Sequence, residues 1–489
     1  MISPGLPDLP VTYFFVRSKK IAGLVLAAGL ATGGLPTYMA GAASASPSTC
    51  GGSGSVTTVN GTLADGATYL IQCPPGAWNG TLYLYSHGYV SPASSSNPAQ
   101  DVGDPVTAAW MLSHGYALAG SSYASTGWAI AQALPDQINT LNAFGSRYGQ
   151  PSTTVAWGHS LGGIITAGLI QDYPKRFDAA LPMCGVLSGG VATWNTALDA
   201  EFAFQKLIAP SVQIVNITNP AANLQAAEVA GAQAQQTPQG QARLALVSAL
   251  ADIPGWFTPG SPEPAATDYA AQEANQFEWG SQVTFPFVFA FRAELEARAG
   301  GNPSWNTGVN YAADLAKSAD FAEVMALYRA AGLNLGQDLR TLNSAPRVKA
   351  DRSAEAYLIK NISFNGAISV PVLTMHTTGD GLVVPENEQA YRSAVDQAGR
   401  GNLLRQVFVH RAGHCAFTPA ETVAAVQTLE NRLATGRWHV PSPAAMNAQA
   451  AALGPQFNIF SVGGAVTPTA PAFISYSPAR YLRPFNLFP

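Results

Sequence analysis

The stretch TTVAWGHSLGGIITAGLIQDYP, residues 153–174, decides the fold of this chain. Its first residues form an apolar run rich in strand formers, and its last residues have the spacing of a buried helix. The turn between them, WGHSLGG at 157–163, matches the pattern G-x-S-x-G. A sharp strand-to-helix turn exposes its serine side chain at the sheet edge, and its glycines are needed because neighbouring backbones approach closely. Ser160 is therefore predicted to be a catalytic nucleophile.

Apolar strands alternate with helical segments on both sides of this turn. TLYLYS (81–86) and FDAALPMCG (177–185) are typical strands, and the pattern resumes late in the chain with SVPVLTMHTTGD (369–380) and LLRQVFVH (403–410). Such alternation predicts an α/β fold with a mostly parallel central sheet and helices on both faces. Between residues 185 and about 361 the alternation stops. Helix-like runs such as ADFAEVMALYRAAG (319–332) predict a mainly helical insertion over one edge of the sheet.

These changes of pattern divide the chain into five predicted parts. They are a signal peptide at 1–45, a first core segment at 46–185, a helical cap at 186–361, a second core segment at 362–436, and a tail at 437–489. The tail is rich in proline and aromatic residues. Because its apolar content argues against a free linker, we expect it to pack on the core.

The N-terminal segment has the features of an export signal. Positive charges at Arg17, Lys19 and Lys20 precede the apolar run IAGLVLAAGLATGG, which is too short to span a bilayer. Ala43 and Ala45 then fit the A-x-A pattern for cleavage. We expect a secreted protein without stable membrane insertion after cleavage; an uncleaved anchor is the alternative.

A serine hydroxyl needs a base to take its proton and a third group to orient that base. In a sheet of this kind the three follow in the chain order serine, acid, histidine. Asp380 ends the strand of TTGD, and His414 follows the next strand in RAGHCAF. Both are predicted at carboxyl ends of strands, where such sheets place their sites. Glu386 and Glu388 lie nearby, but are expected to start a helix, where acids stabilise the helix dipole.

A developing oxyanion needs preorganised backbone N–H donors. Leu161, immediately after the serine, is expected to supply one. The loop after TLYLYS is expected to supply the other, from Tyr89, with Gly88 letting the backbone come close. A plain strand-ending turn is the alternative for this loop.

The chain contains four cysteines, Cys50, Cys73, Cys184 and Cys415. Export to an oxidising compartment favours two disulfides, for which three pairings are possible. Proximity in sequence favours Cys50 with Cys73, which leaves Cys184 with Cys415. Two free buried thiols are the alternative for the latter two.

No cofactor, metal or nucleic acid is expected. Charged residues make up 11% of the chain, the formal net charge is -4, and no basic stripe appears. His410 and His414 stand four apart beside Cys415, which suggests a metal cluster, but a strand end followed by Gly413 prevents the shared helical face it needs. The other histidines show no ligand spacing, and no nucleotide-binding glycine loop is present.

Together these pieces resemble the α/β-hydrolase superfamily, and GHSLGG resembles its lipase and esterase members. The resemblance covers about residues 54–185 and 362–436, with the insertion where the superfamily carries a cap. It implies a Ser160, Asp380, His414 triad and hydrolysis through an acyl-enzyme. YPKRFDAALPMCG (173–185) is more loosely similar to feruloyl esterases and polyester depolymerases.

One departure concerns tannase-like esterases, in which a cysteine before the catalytic serine bonds to a cysteine after the catalytic histidine. This chain has the second cysteine, Cys415, but His159 stands before the serine. Cys184, at the end of the neighbouring strand, is the expected substitute partner. Such a bridge is expected to restrain the loop that carries His414.

The sequence favours a serine hydrolase of carboxylic esters that acts on a small-molecule or polymeric substrate. A peptidase or amidase on the same scaffold is the alternative, with Asp199, Glu201 or Glu273 available to bind an amine terminus. A noncatalytic binding protein that kept the fold is a third hypothesis. Aromatic side chains are expected to shape the pocket, or simply to pack: Tyr89, Tyr123, Trp128, Phe285, Phe287, Phe289 and Phe291.

Overall fold

The computed structural model describes residues 48–462 and 465–487. A sheet of nine strands runs through its centre in the order β1-β2-β4-β3-β5-β6-β7-β8-β11. The strands are β1 (Thr57–Thr62), β2 (Thr68–Cys73), β3 (Thr81–Ser86), β4 (Ala117–Ser121), β5 (Thr153–His159), β6 (Ala179–Met183), β7 (Val372–Gly379), β8 (Leu404–Ala412) and β11 (Phe473–Ile474). The predicted signal peptide lies outside the described residues.

The six strands from β4 to β8 in this order are parallel, and antiparallel strands flank them at both edges. Every residue of β3 and β4 is buried. Parallel strands covered on both faces read as continuous apolar runs, which explains why TLYLYS lacks polar alternation. This sheet, with the serine turn after its fifth strand, confirms the predicted α/β-hydrolase fold.

Helices cover both faces of the sheet. One face packs against α1 (Pro105–Ser113) and α14 (Pro419–Thr435), and the other against α2 (Ile130–Tyr148), α3 (Leu161–Asp172) and α13 (Glu386–Gln397). These contacts bury two apolar clusters, one on each side of the sheet.

The predicted insertion contains the cap helices, which bury a hydrophobic core of their own. They are α4 (Gly190–Leu207), α5 (Pro220–Ala234), α6 (Pro238–Ala249), α7 (Tyr269–Trp279), α8 (Arg292–Ala299), α9 (Tyr311–Leu315), α10 (Phe321–Ala330), α11 (Leu335–Ser344) and α12 (Arg352–Lys360). Among residues 48–462 and 465–487, no helix combines the length and the apolar run that crossing a bilayer requires.

Two π-helical segments, Gly280–Thr284 and Phe287–Phe291, join α7 to α8. In a helix, residues two apart point to nearly opposite faces, so the alternating phenylalanines divide into two pairs. Phe285 and Phe289 are buried in the cap core. Phe287 and Phe291 instead contact the ring of Tyr89, which follows β3.

The tail packs on the body of the protein. Helix α15 (Pro443–Ala452) contacts α14, the strands β9 (Ile459–Val462) and β10 (Ala465–Pro468) form a hairpin, and β11 extends the sheet beside β8. Arg483 then forms an ion pair with Asp199 of α4. The tail therefore contacts both the sheet and the cap, beyond the predicted contact with the core.

Candidate active site

The turn between β5 and α3 holds Ser160 in a conformation that few residues other than glycine adopt, with φ 59° and ψ -123°. A Cβ added to Gly162 would lie 1.8 Å from the carbonyl oxygen of Ser86, and one added to Gly158 would lie 2.4 Å from the same atom. On the other side of the turn, a Cβ on Gly163 would lie 2.5 Å from the Cα of Gly185. The glycines are thus required because β3 and the end of β6 approach the turn closely.

The structure brings Ser160, His414 and Asp380 together from three separate parts of the chain. The Ser160 hydroxyl oxygen lies 2.7 Å from His414 Nε2. On the other side of the ring, His414 Nδ1 lies 2.7 Å from Asp380 Oδ2. This geometry lets the imidazole accept the serine proton while the carboxylate orients the ring.

Asp380 opens the acid loop, residues 380–385, between β7 and α13. Its Oδ1 accepts hydrogen bonds from the backbone N–H groups of Leu382 and Val383, both at 3.0 Å. Burial by itself would raise the pKa of Asp380, but the charge of His414 and hydrogen bonds from His376 and His414 lower it to about 2. The carboxylate is therefore ionised at neutral pH and remains an acceptor for His414.

The predicted oxyanion donors lie beside this turn. Leu161 is the first residue of α3, where backbone N–H groups have no intrahelical acceptor. The loop after β3 is close, since a Cβ on Gly162 would also lie 2.9 Å from the carbonyl oxygen of His87. Gly88 is buried, and the ring of Tyr89, the next residue, is covered by the phenylalanines of the cap.

Tyr123 holds the loop after β3 through its contacts with His87. Its hydroxyl donates to the carbonyl oxygen of His87 at 3.1 Å, and its ring stacks on the His87 ring with centroids 4.0 Å apart. Trp128 is buried against Trp194 of the cap. Both aromatic residues therefore pack rather than line an open cleft.

Two disulfides join the cysteines, Cys50 to Cys73 and Cys184 to Cys415. The second crosses from the end of β6 to the histidine loop, residues 413–418, and Cys415 Sγ lies 3.4 Å from His414 Nε2. Ligand atoms of Cys184, His414 and Cys415 lie within 4.8 Å of one another. However, both sulfurs are bonded to each other and offer no thiolate for a metal.

His410 is separate from this cluster. It lies within β8, its side chain is 40% exposed, and its Nε2 is 3.5 Å from a carboxylate oxygen of Glu263. The strand ends two residues later than the sequence pattern indicates, at Ala412.

The cap packs directly on the acid and histidine loops. A Cβ on Gly381 would lie 2.4 Å from the Trp279 ring, and one on Gly413 would lie 2.7 Å from the ring of Pro259. The Trp279 indole N–H donates to the carbonyl oxygen of Trp256 at 3.0 Å. The cap segments that carry Trp256 and Trp279 are therefore hydrogen-bonded to each other where they cover the two loops.

Comparison with known proteins matches this chain to a family. The Tannase-like family of unknown function (DUF6351) matches residues 62–380, well over half of the chain. A curated relative, the o-phthalyl amidase of Xanthobacter agilis, is 30% identical over 427 aligned residues. That match covers 80% of this chain and 90% of the relative. The chain belongs to the tannase-like family.

Similar solved structures include two esterases. A ligand-bound form of the rice cell wall degrading esterase LipA from Xanthomonas oryzae is 14% identical, with a TM-score of 0.34, and the match covers 77% of this chain and 87% of that chain. Feruloyl esterase B from Aspergillus oryzae is 15% identical, with a TM-score of 0.34, and the match covers 74% of each chain. Nothing about substrate follows from likenesses at this level.

This tannase-like chain places His159, not cysteine, before the serine. The His159 ring packs against Phe417, and its Nδ1 lies 3.1 Å from the Tyr85 hydroxyl. Burial, followed by the nearby charge of His414, lowers the pKa of His159 to about 3, so its ring is neutral. Cys184 reaches Cys415 from the neighbouring strand instead.

Reasoning from sequence missed His376 and misjudged Glu388 in this tannase-like site. Glu388 lies in the first turn of α13, as expected, but its side chain is buried and contacts His376 rather than solvent near the helix end. Glu386 is also buried, and burial raises its pKa to about 8. The sequence signal that could have identified His376 was its position in MHTTGD, four residues before the acid on a strand with no other ionisable side chain.

Proposed function

We propose that this chain is a serine hydrolase that cleaves carboxylic esters through an acyl-enzyme. The observation that carries the proposal is the line of short contacts from Ser160 Oγ to His414 Nε2 and from His414 Nδ1 to Asp380 Oδ2. A serine held at a strained turn, with a base and an ionised carboxylate in line, is the arrangement that acyl transfer requires.

In the proposed reaction, His414 takes the proton of Ser160 as the serine oxygen attacks the substrate carbonyl. The imidazolium that forms is stabilised by Asp380, and then gives its proton to the leaving alcohol. Water, activated by the same histidine, attacks the acyl-enzyme and releases the acid. No step needs a cofactor.

The backbone N–H groups of Leu161 and Tyr89 are the proposed donors to the oxyanion. The closeness of the β3 loop to the turn supports this assignment. Gly88 allows the approach because it has no side chain. Donors held in place before the reaction need no reorganisation as charge develops on the carbonyl oxygen.

We also propose that the chain is exported. Two disulfides support this, because disulfides persist in oxidising compartments and are rare in reducing ones. The A-x-A site near Ala45 is the proposed cleavage site of the signal peptide.

The first experiment replaces the nucleophile. Ser160→Ala is expected to lower kcat on p-nitrophenyl esters by roughly 10⁶-fold, and to abolish labelling by a fluorophosphonate probe. Ser146→Ala, at an exposed position on α2, is the control and should keep both properties. Residual turnover near the unaltered level in Ser160→Ala would show that the proposed nucleophile is wrong.

Amide hydrolysis is the second candidate, and the tannase-like relative favours it because that protein is an o-phthalyl amidase. The same triad serves an amide, provided that His414 protonates the leaving amine. Ester and amide hydrolysis would then proceed through the same acyl-enzyme. The two reactions would differ in the leaving group, which is an alcohol from an ester and an amine from an amide.

Paired substrates separate the two candidates. A series of p-nitrophenyl esters and p-nitroanilides with matched acyl groups, including phthalate derivatives, would be compared by kcat/KM. Faster turnover of the esters across the series supports the ester proposal. A phthalyl anilide that outpaces its matched ester supports the amide.

A further inference from the structure

His376 lies on β7, four residues before Asp380, and its side chain is completely buried between β7 and α13. Its Nδ1 lies 3.1 Å from Glu388 Oε1, and its Nε2 lies 2.7 Å from the carbonyl oxygen of Val383. The same Nε2 is 3.6 Å from Asp380 Oδ2, the oxygen that accepts from His414. His376 on β7 and His414 in the histidine loop therefore both lie beside the same oxygen of Asp380.

Both ring nitrogens of His376 face groups that only accept hydrogen bonds, provided that Glu388 is ionised. A neutral imidazole has one donor and one acceptor nitrogen, whereas the imidazolium donates from both. The contacts to Glu388 and Val383 therefore match the imidazolium. Burial would lower the pKa of His376, but hydrogen bonds and charge from Asp380 and Glu388 raise it to about 10.

The surroundings of Glu388 restrict where a carboxyl proton can lie. Arg392 Nε donates to Gln406 Oε1 at 2.7 Å, which fixes the orientation of the Gln406 amide. The amide NH₂ of Gln406 then faces Glu388 Oε2 at 2.6 Å and leaves no acceptor there for a carboxyl proton. The Thr374 hydroxyl donates to the same oxygen. Oε2 of Glu388 is therefore an acceptor. The position left for a proton lies between Oε1 and His376 Nδ1, where the raised pKa of His376 places it on the ring.

His87 provides the contrast. Its nitrogens lie 2.7 Å and 3.2 Å from the carbonyl oxygens of Gly88 and Ser122. Within the described part of the chain no carboxylate contacts its ring, and burial lowers its pKa. Two carbonyl acceptors alone therefore do not stabilise a buried imidazolium. The carboxylates beside His376 supply the missing counter-charge.

We propose that His376 and Glu388 are positioning residues of the Ser160 site, a buried imidazolium–carboxylate pair that holds Asp380 and sets the pH range in which His414 works as a base. The proposal rests on the proposed function. It extends the line of side chains from Ser160 through His414 and Asp380 to the start of α13.

The charges in this line alternate, which decides the sign of each effect. The titratable and charged groups that face His376 or its partner are Asp380 in the acid loop, Glu386 and Glu388 on α13, His414 in the histidine loop, and Arg392 through Gln406. Positive His376 competes with a protonated His414 for Asp380. Negative Glu388 offsets that competition.

The first test measures kcat/KM against pH for two variants. His376→Asn removes the competing positive charge, so the acidic limb of the profile should shift to higher pH by about one unit. Glu388→Gln removes the offsetting negative charge, while His376 keeps its proton at acid pH. The acidic limb should therefore shift to lower pH by a similar amount. Both side chains are fully buried and out of reach of a bound substrate, so kcat should fall while KM stays unchanged.

His410→Asn is the matched control. It removes another histidine paired with a carboxylate, but that pair is exposed and screened by solvent, so the limb should stay in place. Opposite shifts in His376→Asn and Glu388→Gln support the proposal. Shifts in the same direction, or no shift in a folded variant, overturn it.

The second test needs no turnover and remains informative if a variant fails to fold. In the unaltered protein labelled with ¹⁵N-histidine, one of the seven histidines should stay doubly protonated from pH 5 to about 9. That signal should persist in Ser160→Ala and in His410→Asn. If every histidine is neutral at pH 8, the proposal is wrong.

The two tests separate this proposal from the proposed function. Turnover in Ser160→Ala would refute the function but would leave the imidazolium signal untouched. Loss of turnover in Ser160→Ala, together with unshifted limbs in both variants, would refute only the positioning roles.

Discussion

Gly162 shows at the residue scale how closely the site is packed. Its missing Cβ would lie 1.8 Å from the Ser86 carbonyl oxygen, far inside any allowed contact. That carbonyl belongs to the last residue of β3, next to the proposed oxyanion loop. Any side chain at Gly162 must therefore push the loop away from Ser160.

Gly162→Ala is expected to lower kcat/KM by about 10²-fold, since a displacement near 1 Å between reacting groups costs this much. Gly76→Ala is the control, because a Cβ there meets nothing within 4 Å. Kinetics on p-nitrophenyl esters and thermal unfolding of both variants would be measured. Equal activity in the two variants would contradict the close packing argued for Gly162.

Chelation should leave turnover unchanged. His414 is beside Cys184 and Cys415, but their sulfurs are joined in a disulfide and offer no thiolate. Ester turnover after dialysis against EDTA provides the measurement. A loss of activity that zinc restores would revive the metal hypothesis for this cluster.

At the scale of elements, the histidine loop is held from two sides. The disulfide from Cys184 ties it to the end of β6, and Pro259 of the cap packs on Gly413. Cys184 and Cys415 both have positive φ, at 43° and 53°, so the bridge joins two tight turns. The loop thus has little freedom to move His414 away from Ser160.

Removal of the Cys184–Cys415 bridge, by substitution of both cysteines with alanine, should lower kcat with little effect on KM, because the bridge restrains His414, the proposed base. It should also cost about 2–5 kcal/mol of stability. The matched control removes Cys50–Cys73, which lies at the antiparallel edge of the sheet beyond β4. Equal losses of kcat in both double variants would show that the bridge acts on stability alone.

At the scale of the whole molecule, the cap buries several carboxyls that have no positive partner in residues 48–462 and 465–487. Glu273 and Glu323 accept hydrogen bonds only from glutamine amides among the described residues. Burial raises the pKa of Glu273 to about 7, and burial followed by the charge of Asp320 raises that of Glu323 to about 8. Both are therefore protonated in the folded cap at mildly acidic pH.

Because these folded-state pKa values are above those of the unfolded chain, their contribution to stability is complete below about pH 4.5 and is lost as the pH rises through 7 to 8. The unfolding midpoint should therefore fall across this window. Replacing Glu273 and Glu323 with glutamine should flatten the dependence of the unfolding midpoint on pH. Glu278→Gln, on the same helix as Glu273, should leave that dependence unchanged. An unchanged slope in the double variant would exclude these carboxyls as the cause.

The sequence alone determined the fold class and the main chemical groups. Strand and helix periodicity is local, so the order of the core elements could be predicted around WGHSLGG. The strand ends in that order also predicted that Ser160, Asp380 and His414 lie at one edge of the sheet, because parallel strands of such sheets end at the same edge, and the structure brings the three side chains together. Membership of the tannase-like family agrees with the predicted fold.

The tertiary structure decided how those groups are supported. Glu388 was expected to stabilise a helix dipole, yet it contacts His376 across the α13–β7 interface. The cap residues Trp279 and Pro259 lie more than a hundred residues from the glycines they cover. Local patterns do not encode such contacts, because the burial of a side chain and the charged groups beside it depend on how whole elements pack together.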